Sequence, residues 1–212
     1  MGDLSPYPAR VSQVAVPQER LTRWVSNFTE RHGGATLTVD DGALSGVAAD
    51  GSTFRARLPF ATSYAGPPDV ADFVEAIQPP VDWGVLLVRK GGFAIARLSG
   101  PKTIDSKVGQ RHVQGRTKAG GQSQQRFARR RDNQARQAYE AAAEHAARIL
   151  AGLTGPIVAG GDRPAVDEVL ADSRLRRLTV VGPWLAVPDP RRGVLEQSVR
   201  DALAVQVEVH NS

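Results

Sequence analysis

The chain has 212 residues, of which 41% are hydrophobic and 23% are charged, and its formal net charge is +5. These values are typical of a globular protein with one domain or two small ones, and they exclude a disordered or membrane-spanning chain. The sequence has no cysteine and four scattered histidines, so disulfides, thiolate metal sites and paired-histidine zinc motifs are excluded. We therefore expect a cytoplasmic protein that uses no metal and no cofactor and that does not contact a membrane.

Residues 1–80 are predicted to form a small α-β-β-β-α unit. Apolar residues at helical spacing predict a helix over 17–31. Two dipeptides typical of tight hairpins, Asp41-Gly42 and Asp50-Gly51, separate three predicted strands, at about 35–39, 43–48 and 53–58. A second helix is predicted over 69–78, and the Pro79-Pro80 pair that follows it marks a domain boundary. The role of this unit stays open, because none of its side chains indicates a particular chemistry.

Residues 81–212 are predicted to form a second unit in which strands alternate with helices. The longest predicted helix runs over about 124–151, with Ser123 as its N-cap and Gly152 as its C-terminal stop. Apolar and alternating patterns predict strands before and after it, at 83–88, 93–98, 108–115, 156–159, 178–181 and 204–209. Shorter helices are predicted at 164–172 and after Asp189-Pro190. This order predicts an α+β fold (mixed α/β), with a mixed sheet and helices on its faces.

The positive charge is concentrated in one segment. Residues 101–136 hold ten Lys and Arg but only two acids, a local balance of +8, whereas the rest of the chain sums to −3. Such an uneven distribution is typical of a protein that contacts nucleic acid.

The arginines of this segment include four in the first turns of the long predicted helix. Cations are unfavourable there, by about 0.3–1 kcal/mol each, because the helix N-terminus already carries partial positive charge. An external phosphate would compensate them, since helix N-termini bind anions well. We therefore predict that the following residues contact RNA phosphates: Arg111, Arg116, Lys118, Arg126, Arg129, Arg130 and Arg131.

A glycine pair and a glutamine precede this arginine run, in the sequence GGQSQQRFARRR over residues 120–131. This motif resembles the catalytic-loop signature of the eukaryotic and archaeal class-1 peptide-chain release factors. The order of hairpin, strand, loop and long helix over about residues 83–209 also resembles the central domain of that family. Residues 1–80 do not resemble the codon-reading domain of those factors. The chain is therefore more similar to a compact bacterial branch of the release-factor-like peptidyl-tRNA hydrolases of ribosome quality control.

The resemblance implies a codon-independent peptidyl-tRNA hydrolase that acts in ribosome rescue. Its substrate would be the ester between nascent peptide and tRNA on stalled large ribosomal subunits, and its partners would be ribosomal RNA and peptidyl-tRNA. Gln122 is the implied catalytic residue, with Gly120 and Gly121 shaping the loop. In that branch the active glutamine can lie beyond the glycine pair, so Gln124 and Gln125 are alternatives.

Two other functions are compatible with the sequence. A non-catalytic ribosome- or RNA-binding module would carry the same basic segment but would release no peptide. A hydrolase unrelated to the ribosome is disfavoured, because the chain lacks the G-x-S-x-G, H-E-x-x-H and P-loop motifs.

Overall fold

The computed structural model describes residues 11–110 and 122–212, with side chains for all of these except 122–134. In this part of the chain the protein has a mixed α+β fold with two five-stranded sheets and five α-helices, which confirms the predicted fold class. The chain divides into two compact units. The first contains the residues up to Pro79 together with Leu203–Ser212, and the second is Pro80–Ala202.

The first unit is an antiparallel sheet with two helices. Its helices are α1 (Gln18–Arg31) and α2 (Val70–Glu75), and a short 3-10 turn covers Pro59–Ala61. The strands are β1 (Val11–Val16), β2 (Ala35–Asp40), β3 (Ala43–Ala48), β4 (Thr53–Arg57) and β10 (Val205–His210), in the order β1-β10-β4-β3-β2. The two helices and the three hairpin strands predicted for residues 1–80 are therefore confirmed.

The core of the first unit lies between one face of this sheet and the two helices. Leu21, Val25 and Phe28 of α1 are buried, and the ring of Phe28 meets that of Phe54 edge-on at 5.0 Å between centroids. On the strands, burial alternates from residue to residue, as in β10, where Val205, Val207 and Val209 are buried. This alternation is that of a sheet with one face packed on a core.

The position of β10 corrects the predicted domain organisation. Sequence analysis assigned the closing strand to the second unit and treated α-β-β-β-α as complete in itself. In the structure, Val207 pairs with Val14 of β1 on one side and with Ala56 of β4 on the other. The first sheet therefore includes β10, and also β1, which the sequence did not predict. All residues of β1 except Val16 are exposed, so its local pattern carries no apolar alternation.

The second unit is a mixed sheet in the order β7-β6-β5-β8-β9. Its strands are β5 (Trp83–Arg89), β6 (Gly92–Ser99), β7 (Lys102–Gln110), β8 (Ile157–Gly161) and β9 (Val180–Leu185). The helices are α3 (Gln122–Ile149), α4 (Arg163–Leu170) and α5 (Arg192–Leu203), with a 3-10 turn at Ser173–Leu175. Strands β5, β6 and β7 are antiparallel, whereas β5, β8 and β9 are parallel. Consequently β5, β7, β8 and β9 all end at one edge of the sheet, here called the carboxyl edge.

Three predicted boundaries in the second unit are corrected. Strand β7 begins at Lys102, not at Val108, and the predicted continuation over 111–115 lies outside the described residues. The early part of β7 is largely exposed, with Ile104 among the exposed apolar residues. Its sequence therefore lacks the apolar periodicity that predicts a buried strand. Helix α3 begins at Gln122, which places Ser123 inside the helix instead of at its N-cap. Strand β9 begins two residues later than predicted and continues to Leu185.

Candidate functional site

The predicted catalytic loop lies between β7 and α3. Strand β7 ends at Gln110 and α3 begins at Gln122, so both borders of the loop are elements of the second unit. Five of the predicted site residues fall in the intervening segment and lie outside the described residues: Arg111, Arg116, Lys118, Gly120 and Gly121. The others lie on the first ten residues of α3, where the structure describes the helix but not the side chains: Gln122, Gln124, Gln125, Arg126, Arg129, Arg130 and Arg131.

The start of α3 distinguishes among the three candidate glutamines. An α-helix turns about 100° per residue, so positions 122 and 125 lie about 60° apart on the helix surface. Position 124 lies about 160° from 122, on the other side. Gln122 and Gln125 can therefore belong to the same face of the helix, and Gln124 belongs to another. The sequence alone does not contain this distinction, because it depends on where the helix begins.

The second half of α3 anchors this helix on the sheet. Its buried residues follow helical spacing, and six of them share a core cluster with Leu86, Val88, Phe93 and Ile95: Tyr139, Ala142, Ala143, Ala146, Ile149 and Leu150. Ala138 is also buried. Most of the predicted inward stripe is thereby confirmed, while Phe127 falls among the side chains that are not described. The helix ends at Ile149, and Gly152 follows with a φ of +66°, a conformation that favours glycine.

Ion pairs fix α3 laterally on both sides. Nη1 of Arg148 lies 2.8 Å from Oδ2 of Asp105 on β7. On the other side, Oε2 of Glu144 lies 2.8 Å from Nη1 of Arg174, which also binds Asp172. The charge of Arg174 lowers the pKa of Asp172 to about 2 through a direct hydrogen bond. Both elements that border the predicted catalytic loop are therefore held in place by packing and by charge.

A cavity of about 520 Å³ lies beside the end of β7. Gly92, Phe93, Gly109 and Gln110 line it from the hairpin, and α3 contributes Gln137, Ala138, Glu140 and Ala141. Gln110 is the last residue of β7 before the predicted catalytic loop, so the cavity is adjacent to the border of that loop. Among the described residues, its polar lining consists of the amides of Gln110 and Gln137 and the carboxylate of Glu140.

Sequence analysis overlooked a group of cations at the carboxyl edge. Arg89 ends β5 and Lys90 follows it, Arg163 comes after β8, and Arg191 and Arg192 come after β9. The sequence signal is a pair of charged residues directly after a buried strand, as in LLVRK and AGGDR. Because β7 ends at the same edge, these cations belong to the edge from which the predicted catalytic loop continues.

Two negative findings apply to the described part of the chain. Residues 11–110 and 122–212, as far as their side chains are given, contain no cluster of three or more His, Asp or Glu that could hold a metal ion. Over the same residues, no helix combines the length and the apolar character needed to cross a bilayer.

Comparison with known proteins identifies the family. Residues 81–208 match the Actinobacteria/chloroflexi VLRF1 release factor family, which is well over half of the chain. The chain belongs to this VLRF1 release factor family. The match confirms the resemblance to release factors, and its range agrees with the 83–209 expected from the sequence. It also includes part of β10, so the region that defines a VLRF1 release factor extends into the first sheet.

Two solved structures resemble this VLRF1 release factor over most of its length. The archaeal translation termination factor aRF1 is 15% identical, with a TM-score of 0.42, and the match covers 92% of this chain and 65% of that one. Pelota from Archaeoglobus fulgidus is 11% identical, with a TM-score of 0.29, and the match covers 92% and 64%. The chain thus spans slightly less than two thirds of either protein. No curated protein sequence matches the chain.

Proposed function

We propose that this protein is a peptidyl-tRNA hydrolase that rescues stalled large ribosomal subunits without reading a codon. The observation that carries the proposal is the sequence GGQSQQRFARRR, whose two glycines precede α3 and whose other ten residues begin it, in a chain of a release-factor family. The catalytic part would be the second unit, and the basic segment around the motif would contact ribosomal RNA and the phosphates of peptidyl-tRNA.

The reaction is hydrolysis of the ester between the peptide and the terminal ribose of tRNA. A water oxygen attacks the ester carbonyl carbon, and the carbonyl oxygen becomes a tetrahedral oxyanion. When the intermediate collapses, the bond to the ribose oxygen breaks and that oxygen receives a proton. The products are a free peptide carboxyl group and a tRNA with a free hydroxyl group.

Glutamine suits this reaction as a positioning group. Its amide does not titrate, so it cannot act as a general base, but its oxygen can accept a hydrogen bond from the attacking water. The first N–H groups of a helix have no partner within the helix, and α3 begins at Gln122. We infer that one of these N–H groups stabilises the oxyanion, a contact typically worth about 3–4 kcal/mol in the transition state.

Two further contributions to catalysis would come from the glycines that precede α3 and from the ribosome. Gly120 and Gly121 lack a Cβ, which permits a close approach of the backbone to the substrate. Because a glutamine amide cannot serve as a base, most of the rate enhancement would come from the placement of water and ester together inside folded RNA. Activity should therefore require the large subunit and be absent on free peptidyl-tRNA.

The decisive experiment is a release assay on stalled large subunits that carry labelled peptidyl-tRNA. The purified protein should convert peptidyl-tRNA to free tRNA on a gel, at a rate far above that of subunits alone. Mild alkali, which hydrolyses the same ester chemically, gives the maximal yield for comparison. Tight binding to the subunits with no release above background would contradict the proposal and would support a non-catalytic binding module.

A further inference from the structure

The carboxyl edge carries an arginine whose guanidinium lies over the ring of a tryptophan. The Cζ atom of Arg163 lies 4.2 Å from the centroid of the Trp184 ring. Arg163 is the first residue of α4 and Trp184 lies near the end of β9, so the pair joins two elements of this edge. A guanidinium over an indole face is attracted by the ring quadrupole, which orders a side chain that would otherwise be mobile.

The tryptophan is itself fixed. Its Nε1 donates a hydrogen bond to the carbonyl oxygen of Gly161, with 3.2 Å between the two atoms, and its ring packs against the core below α3. Arg163 is nevertheless exposed. The guanidinium of Arg163 therefore lies over Trp184 and remains accessible to an external group.

The charges around this pair leave a surplus of cations. Arg89 lies 3.4 Å from Asp162 and 4.0 Å from Asp189, so one arginine serves both acids of the edge. The remaining cations form no ion pair with any carboxylate among the described side chains. These cations are Lys90, Arg163, Arg191 and Arg192, and all four are exposed.

We infer that this surface, formed by Lys90, Arg163, Trp184, Arg191 and Arg192, is a second RNA-binding site. It binds backbone phosphates through its cations, and the ordered guanidinium of Arg163 receives a phosphate or the face of an unpaired base. Planar guanidinium groups bind phosphate oxygens in a bidentate manner and stack on bases. The inference rests on the proposed function, since it places this surface on the same RNA as the catalytic segment.

Its location favours RNA over an acidic protein as the partner. Strand β7 runs into the catalytic segment at the same edge of the sheet, so a protein that delivers this segment into ribosomal RNA brings the cations close to RNA as well. The site would hold the second unit in a fixed orientation while the loop reaches the ester. It therefore adds a positioning contact that is separate from the basic run of α3.

The test compares two double variants that remove equal charge. Arg163→Gln with Arg192→Gln alters the carboxyl edge, and Arg176→Gln with Arg177→Gln removes two exposed arginines that precede β9 at the opposite edge. Binding to purified large subunits is measured between 50 and 200 mM salt, without peptide release as a readout. Circular dichroism confirms that each variant is folded. If the wild-type protein hydrolyses no peptidyl-tRNA, the proposed function is refuted, but this binding test still gives a result because it does not measure hydrolysis.

The carboxyl-edge variant should lose the salt dependence of about two phosphate contacts. Each contact contributes about 0.7–0.9 to the logarithmic salt slope, so the affinity loss over this salt range should be about 7- to 12-fold smaller than for the wild type. The opposite-edge variant and the charge-preserving change Arg163→Lys with Arg192→Lys should keep the wild-type slope. Equal slopes for the two Gln variants, or a slope lost in the Lys variant, would overturn the inference.

The same comparison identifies the source of the phosphate. A difference seen on vacant large subunits assigns the contact to ribosomal RNA. A difference that appears only when the subunit carries tRNA, and that recurs with isolated tRNA, assigns it to tRNA. If the two Gln variants have the same salt slope on vacant subunits, on subunits that carry tRNA and on isolated tRNA, the surface does not bind RNA.

Discussion

Asp82 and Arg97 form a bidentate ion pair at the start of β5. Oδ1 of Asp82 lies 2.9 Å from Nε of Arg97, and Oδ2 lies 3.0 Å from Nη2. Oδ2 also accepts hydrogen bonds from the backbone N–H and the hydroxyl of Thr154, while Arg97 donates to the carbonyl oxygen of Ala151. The ion pair therefore joins β5 and β6 to the turn that follows α3. It fixes the C-terminal end of this helix, whose N-terminal end carries the proposed active site.

We predict that Asp82→Ala lowers the free energy of unfolding by about 2–3 kcal/mol. The change removes the hydrogen bonds to Thr154 and leaves a half-buried guanidinium without its partner. Urea unfolding measures the effect. Asp105→Ala is the matched control, because it breaks the more exposed pair with Arg148 and should cost less than about 1 kcal/mol. Equal losses in the two variants would contradict the role given to Asp82.

The contribution of Asp82 should also depend on pH. Burial alone would raise the pKa of Asp82, but the hydrogen bonds from Arg97 and Thr154 outweigh it and hold the pKa below its ordinary value of 3.8. A carboxyl group with a lower pKa in the folded state stabilises the protein above its unfolded pKa, and the stabilisation is lost as the pH falls below that value. The difference in unfolding free energy between wild type and Asp82→Asn should therefore be constant from pH 7 to about pH 5 and shrink below about pH 4. A difference that stays constant down to pH 3 would contradict this.

Two adjacent alanines of α3 provide a test of helix placement. Ala142 is fully buried against the sheet, whereas Ala141 is exposed beside the cavity. Ala142→Leu should destabilise the protein by about 1–3 kcal/mol, because the added atoms have no space between helix and sheet. Ala141→Leu makes the same change at an exposed position and should be nearly neutral. Thermal unfolding of the pair measures the contrast, and similar behaviour of the two variants would show that α3 is not packed as described.

Single glutamine variants should separate the three catalytic candidates. Gln122→Ala is expected to reduce peptide release by at least about 100-fold while subunit binding is unchanged, as for the loss of one group that stabilises the transition state. Because positions 122 and 125 share a helix face, Gln125→Ala should reduce release more than Gln124→Ala. Release rates at saturating protein measure this order. Full activity of Gln122→Ala would transfer the role to one of the other two glutamines.

Charge reversal at Arg129 and Arg130 should weaken binding to large subunits and flatten its salt dependence. Each phosphate contact that is lost removes about 0.7–0.9 from the logarithmic salt slope. The peptide release rate at saturating protein should change much less than the affinity does. Reversal of Arg20 and Arg23, two exposed arginines of α1, is a matched control within the first unit. An unchanged slope in the Arg129 and Arg130 variant would exclude phosphate contacts there.

Local patterns predicted most of the elements that have a buried face. The apolar stripe of α1, the hairpins at Asp41-Gly42 and Asp50-Gly51, and the alanine-rich half of α3 are found as expected. The missed or shortened elements are the edge strands β1 and β7, whose largely exposed residues give no apolar period. The pairing of β10 with β1 and β4 joins residues about 150–200 positions apart, and no local rule encodes such a contact.

The site was predictable to a similar extent. The motif at residues 120–131 located the loop and the helix after it, because glycines and clustered arginines have a direct physical meaning. Two features required the fold: the start of α3 at Gln122, which groups the glutamines by helix face, and the meeting of Arg163 with Trp184. These two residues are 21 positions apart and approach each other only because β8 and β9 are parallel neighbours.

The position of β10 between β1 and β4 has a consequence for synthesis of the protein. Strand β4 is made early, but one of its two hydrogen-bonding partners leaves the translating ribosome about 150 residues later. Until then, Phe54 and Ala56 belong to an unfinished sheet with an open edge, while the intervening second unit can already fold. Messages cut short before the codon for Val205 would thus yield an aggregation-prone product, so this member of a release-factor family would itself depend on complete translation.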